Sequence, residues 1–117
     1  MIHLGVNGFL SQMAMEMYGY NCADFGIPDE RGWIACQEKI SLECDLNHPI
    51  CTTLDTERLL EVLQKNKVLI DASTDPGRYI CNYVYYHSLL WTKQQPHKRV
   101  RWFCYTIAQK VTILILL

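Results

Sequence analysis

VLIDASTDPGRYICNYVYYHSLLW, residues 68–91, reads as three consecutive pieces. Val68 to Ala72 form a short β-rich apolar run, which predicts a buried strand. Ser73 to Gly77 carry the Asp-Pro-Gly signature of a turn. Arg78 to Trp91 then predict a helix whose apolar stripe runs through Ile80, Val84 and Leu90. Upstream, LDTERLLEVLQKN at 54–66 has the clearest helix signature in the chain. Asp55 caps free amides, Leu54 is placed to staple against Leu59, and Leu59, Val62 and Leu63 repeat on one face. Near Met1, IHLGVNG predicts a buried strand entering a turn at Asn7 and Gly8, and a helix is expected from Ser11 to Met17. From Asn21 to Pro49, Gly26, Pro28, Gly32 and Pro49 lie scattered among polar groups, predicting a long surface excursion of the kind that lines sites. Strands separated by helices give an expected α/β fold, a partial three-layer α/β/α arrangement around a mainly parallel twisted sheet.

With 117 residues, 50% of them hydrophobic and 20% charged, the chain suits one modest globular core. Its formal net charge of -1 gives no global reason to expect nucleic acid or an anionic membrane as partner. The charge is unevenly placed. All 12 acidic residues lie at or before Asp75, leaving Arg78, Lys93, Lys98, Arg99, Arg101 and Lys110 unopposed beyond it. The apolar run VTILILL at 111–117 falls far short of the roughly 20 residues of a membrane-spanning helix and reads as a strand or a buried end. The residues after Met1 do not read as a secretory signal, so the expected compartment is the reducing cytosol and the 6 cysteines are expected as free thiols.

Cys81 comes after the Asp-Pro-Gly turn and falls near the first turn of the next helix. Unsatisfied amides and the positive end of the helix dipole lower a thiol's pKa at such a position, and the thiolate is the reactive species. A strand, sharp turn and helix also lift a nucleophile above the carboxyl edge of a sheet. The plain alternative is a small apolar side chain opening a helix.

DPGRYICNYVYYHSL at 75–89 resembles the nucleophile segment of the pyroglutamyl peptidase I family, in which a Gly-Arg-Tyr-hydrophobic-Cys motif is followed by an aromatic-rich helix. HLGVNG at 3–8 resembles the family's strand and glycine turn, and SQMAMEMYGYN at 11–21 its helix bearing the catalytic glutamate, onto which Glu16 falls. NCADFGIPDERG at 21–32 resembles its substrate-pocket loop. The resemblance implies a cysteine peptidase that removes N-terminal pyroglutamate without a cofactor or metal. Cys81 would attack the carbonyl, a histidine would pair with the thiol and protonate the leaving amine, and Glu16 would orient that histidine. Ile27, Tyr79 and Ile80 match the family's apolar pocket for the flat, uncharged lactam ring; on pattern alone Ile27 and Ile80 read as core.

The resemblance covers residues 1–90, and 91–117 form a divergent basic and apolar tail. Family members place a whole strand, a phenylalanine-containing pocket loop and further helices before the strand matched by Ile2. After the nucleophile helix they continue into a strand with a Phe-Val-His-Val-Pro-Pro-like run whose histidine completes the triad. Here Cys104, after Trp102 and Phe103, is the nearest positional counterpart. His97 sits in a Pro-His-Lys-Arg segment that reads as a solvated turn, His87 falls six residues beyond Cys81 and faces largely away, and His3 and His48 match no functional position. A catalytically inactive relative acting by binding is therefore the competing reading. A zinc module built on Cys36, Cys44, His48 and Cys51 is disfavoured by irregular spacing without a CxxC pair. HKRVRWF, with bases interleaved among aromatics, reads more simply as a turn leading into a strand than as a nucleic-acid contact. Exposed strand edges in a partial sheet make self-association an expectation.

Overall fold

The computed structural model describes residues 2–7, 11–95 and 103–108. In chain order the elements are β1 (Ile2–Asn7), β2 (Met13–Glu16), β3 (Tyr18–Tyr20), β4 (Pro49–Cys51), α1 (Thr56–Lys65), β5 (Ile70–Ser73), α2 (Ile80–Gln94) and β6 (Phe103–Ala108). The main sheet runs β1-β6-β2-β5, with β1–β6 and β2–β5 parallel and β2–β6 antiparallel. It is a mainly parallel α/β sheet, as expected. The predicted strand–turn–helix at 68–91 is present as β5, the turn and α2.

The expected helix at Ser11 to Met17 is instead the strand β2. Its intrinsic preference for helix is worth less than about 1 kcal/mol per residue. Pairing on both edges, with Ala14, Met15 and Glu16 all buried, outweighs it. The strand expected from Val68 begins only at Ile70, which is enclosed; Leu69, just before it, is 73% exposed, and Asp71 and Ala72 within β5 are exposed too.

The excursion from Asn21 to Pro49 is irregular but well anchored, and β3 and β4 close its base as an antiparallel pair. Asn21 is fully buried, and its side chain takes the place of a strand ladder. Its Nδ2 donates to the carbonyls of Ser41, Cys44 and Asp45 at 2.8, 3.1 and 3.0 Å, and its Oδ1 accepts from the Ser41 amide at 2.7 Å. Turn-forming residues thereby acquire partners without a regular element.

The two helices bury different faces than their patterns predict. α1 is capped by Asp55, whose carboxylate accepts from the Arg58 amide at 3.2 Å, and it ends at Asn66 as expected. It packs against β5, and Val62 remains 49% exposed. On α2 the buried residues are Asn82, Tyr85, Tyr86 and Leu89, whereas Val84 of the expected stripe is 40% exposed. The reason is that α2 is covered from two sides, by the sheet and by β3 and β4. Tyr85, Tyr86, Leu89 and Ile50 form one core cluster; Ala23, Phe25 and Ala35 form a second beneath the start of the helix. Gly19 permits the close approach of β3, since a Cβ there would lie 3.1 Å from the Tyr86 Cα.

Candidate functional site

The Asp-Pro-Gly turn lifts Cys81 into the first turn of α2, where Gly77 adopts φ +74, a conformation that favours glycine. Two side chains fix the helix start. Asn82, fully buried, donates from Nδ2 to the carbonyls of Tyr20 and Cys22, each at 2.9 Å, and accepts the Tyr20 amide at 2.8 Å. Arg78 ties the turn to the excursion: its guanidinium donates to Asp75 at 2.7 Å and to Asn47 at 2.8 Å, and lies 4.1 Å from the centre of the Tyr20 ring. The sequence does not mark either residue for this role, because their partners in the excursion and on β3 lie 31 to 62 positions away.

Glu16 ends β2, buried at 3% exposure. The Tyr85 hydroxyl donates to its backbone carbonyl at 3.1 Å, which seats α2 directly on this strand. Cys81 lies one helical turn before Tyr85, on the same side of α2. Its thiol is half-buried and electrostatically coupled to Glu16. Burial pushes the Cys81 pKa up, the negative charge of Glu16 pushes it further, and the residue's own backbone amide pulls weakly the other way. This reverses the expectation that the helix start would lower it: desolvation and a neighbouring anion outweigh the first-turn amide.

The three expected pocket residues are distributed unevenly. Tyr79 and Ile80 both reach the aromatic cluster under the excursion. Tyr79 stacks edge-on against Phe25 with centroids 5.1 Å apart, its hydroxyl donates to the Pro28 carbonyl at 3.4 Å, and Ile80 packs on the Ala23, Phe25 and Ala35 group. Ile27 lies on the same loop but is 64% exposed, contrary to its reading as core. Trp33 and Tyr83 complete the cluster, with centroids 4.8 Å from Phe25 and 5.5 Å from Trp33 respectively. A cavity of about 450 Å³ lined by Ile50, Leu89 and Lys93 lies towards the far end of α2 from Cys81.

Of the histidines, His3 bonds Ser88 at 2.9 Å, and His87 is exposed against the Tyr83 ring, centroids 4.8 Å apart. His97 lies outside the described residues. Cys104 stands on β6 directly opposite Glu16 in the β2–β6 pair. Among the described residues no group of His, Cys, Asp and Glu is placed to hold a metal ion, so the Cys36, Cys44, His48 and Cys51 set does not assemble. No helix among them is long and apolar enough to cross a membrane.

The model of the pyroglutamyl peptidase family matches residues 1–114. The chain belongs to this family. A pyrrolidone-carboxylate peptidase of Deinococcus radiodurans is 31% identical over 83 residues, which cover 71% of this chain and 37% of that protein. One from Thermococcus litoralis is 30% identical over 92 residues, covering 79% and 41%. The solved structure of pyrrolidone carboxyl peptidase from Thermococcus litoralis superposes on 98% of this chain and 53% of its own length, with a TM-score of 0.84 and 26% identity. That from Fervidobacterium islandicum gives 0.82 and 26% identity over 90% and 49%. The chain thus spans about half the length, or less, of the pyroglutamyl peptidase family members it matches.

Proposed function

We propose that Cys81, Glu16, Tyr79, Ile80 and Ile27 form a pyroglutamyl-peptide site arranged for binding rather than for rapid turnover. The reading is carried by one observation: the Cys81 thiol sits beside the Glu16 charge and is driven towards its protonated form, while the position opposite Glu16 is a cysteine. In a triad the carboxylate acts through an imidazole, holding it in place and stabilising its charge. Acting directly on a thiol, the same carboxylate opposes ionisation.

Two observations support the recognition half of this reading. Tyr79 and Ile80 border an aromatic cluster suited to a flat, uncharged lactam. Tyr79, the N-cap of α2, makes no side-chain cap, and amides at a helix start are donors of the kind that can stabilise a substrate carbonyl oxygen as it develops charge. If turnover occurs, Cys81 attacks the carbonyl that joins pyroglutamate to the next residue. The bond to the amine breaks, and the acyl-enzyme is hydrolysed.

The test is release of a fluorophore from a pyroglutamyl amide by the wild type, Cys81→Ala and Cys104→His. Positioned acid–base catalysis is worth about 100- to 10,000-fold. The wild type is expected to fall short of a full-length family enzyme by at least that range while still binding a pyroglutamyl peptide in calorimetry. Cys104→His is expected to gain release that disappears in the double variant with Cys81→Ala. Wild-type release at the full-length enzyme's rate, abolished by Cys81→Ala, would overturn the binding reading; absence of both binding and release from the folded chain would remove the site altogether.

A further inference from the structure

The cavity of about 450 Å³ towards the far end of α2 has no part in the pyroglutamyl reading, yet its size is that of a small-molecule site. Ile50 and Leu89, 8% and 4% exposed, form its floor, and the exposed Pro49, Cys51 and Thr53 form its rim. This lining differs in kind from the cluster around Tyr79. There the walls are aromatic rings, which suit a flat ligand. Here the described apolar contacts are aliphatic groups and a thiol, which suit a flexible hydrocarbon chain.

Polar groups in the cavity are few. The Thr92 hydroxyl already donates to the Ser88 carbonyl at 3.0 Å, leaving the Thr53 hydroxyl and the Lys93 ammonium to meet a ligand. A sugar or nucleotide would strand its many polar atoms against Ile50 and Leu89. Lys93 carries the only charge among the described lining residues and sits in the last turn of α2. The helix end contributes about half a negative charge, whereas the ammonium contributes a whole positive one at the tip of a flexible stem, so the mouth favours an anion.

We propose that this cavity binds an aliphatic carboxylate of medium chain length, with its chain on Ile50 and Leu89 and its carboxylate at Lys93. Binding is non-covalent. Ile50 and Leu89 also belong to the core cluster of Tyr85 and Tyr86 that seats α2, so a bound chain adds to the packing that holds the helix and stabilises the folded chain by mass action. The site does not depend on the pyroglutamyl reading.

Cys51 lines the cavity and is exposed, so its alkylation reports occupancy directly; Cys36, exposed in the excursion and outside the lining, is the internal control. The reduced full chain is treated with iodoacetamide in the presence of octanoate below its micellar concentration, and the rate at each cysteine is followed by mass spectrometry. Octanoate is expected to slow Cys51 saturably and to leave Cys36 unchanged. At about fourfold per buried methylene, butanoate, four methylenes shorter, is expected to need roughly 200-fold more for the same protection. Octylamine, with a similar chain and the opposite charge, is expected to protect less than octanoate. Lys93→Gln is expected to weaken protection by octanoate about fivefold and to narrow its lead over octylamine. An unchanged Cys51 rate, equal slowing of Cys36, butanoate as effective as octanoate, or octylamine as effective as octanoate would each overturn the proposal. The wild-type comparison decides the matter even where the variant fails to fold. Failure here with pyroglutamyl binding intact would leave the proposed function standing, and the reverse result would leave only the carboxylate site.

Discussion

The two helices of this chain are signalled in opposite ways and held in opposite ways. α1 has a cap, an acidic first turn in Glu57 and a basic last turn in Lys65, yet Thr56 is its only buried residue. α2 has no side-chain cap and no acidic residue in its first turn, yet it encloses Asn82, Tyr85, Tyr86 and Leu89. Local signals stabilise a helix from within; α2 is held from outside, by partners on β2, β3 and the excursion. A site at its first turn inherits that external anchoring.

Breaking the contrast at its strongest point means emptying the α2 core. Tyr86→Ala removes a fully buried ring from the Ile50, Tyr85 and Leu89 cluster and is expected to cost about 3–5 kcal/mol, whereas Val62→Ala on α1 stays within about 0.5 kcal/mol. Urea denaturation of both variants tests this, and a comparable loss in the two would erase the distinction. Asn82→Ala strands the Tyr20 amide and the Tyr20 and Cys22 carbonyls, with an expected loss of about 2–3 kcal/mol. The same titration should show a smaller loss for Asp55→Ala, about 1 kcal/mol, since one cap is removed from an exposed helix end. If Asp55→Ala proves the worse of the pair, α1 anchors more than its burial indicates.

The smallest effect sharpens the comparison at the site itself. Glu16→Gln removes one of the two influences holding the Cys81 pKa up, so at a fixed pH below that pKa the thiolate fraction rises. Alkylation of Cys81 by iodoacetamide at pH 8, followed by mass spectrometry, should be faster in this variant than in the wild type. An unchanged rate would mean that burial alone sets the thiol.

The sequence makes legible what adjacent residues settle among themselves. Asp55 and the spacing of Leu59 and Leu63 define α1, and the Asp-Pro-Gly turn places Cys81 at the head of α2. β2 reads wrongly as helix because MAME has helix-forming residues and its strand state is imposed by β5 and β6, from 57 to 92 positions away in the observed registers. Asn21 and Asn82 read as ordinary polar residues because nothing local marks a side chain whose hydrogen bonds replace missing backbone ladders. For the candidate site, the family resemblance is what proposes Cys81, Glu16, Tyr79 and Ile80, and the structure places Cys81 near Glu16 and Tyr79 and Ile80 on the aromatic cluster. The direction of the Cys81 shift is not legible in the sequence, because it arises from burial and from a carboxylate 65 positions earlier in the chain. Phe25, Trp33 and Tyr83 escape a sequence reading since their clustering depends on the excursion folding back over α2.

The sheet order carries a consequence for the timing of assembly. β1 and β2 are neighbours in the chain but not in the sheet, because β6 is inserted between them and pairs with both. Until residues 103–108 have been synthesised, the slot between the first two strands has no occupant, and the β2–β5 pair must form without its other neighbour. Such long-range closure is slow compared with helix formation and leaves strand edges open meanwhile. The strand that brings Cys104 to Glu16 is thus also the one that joins β1 to the rest of the sheet, so on a growing chain the site and the sheet are completed in a single late step.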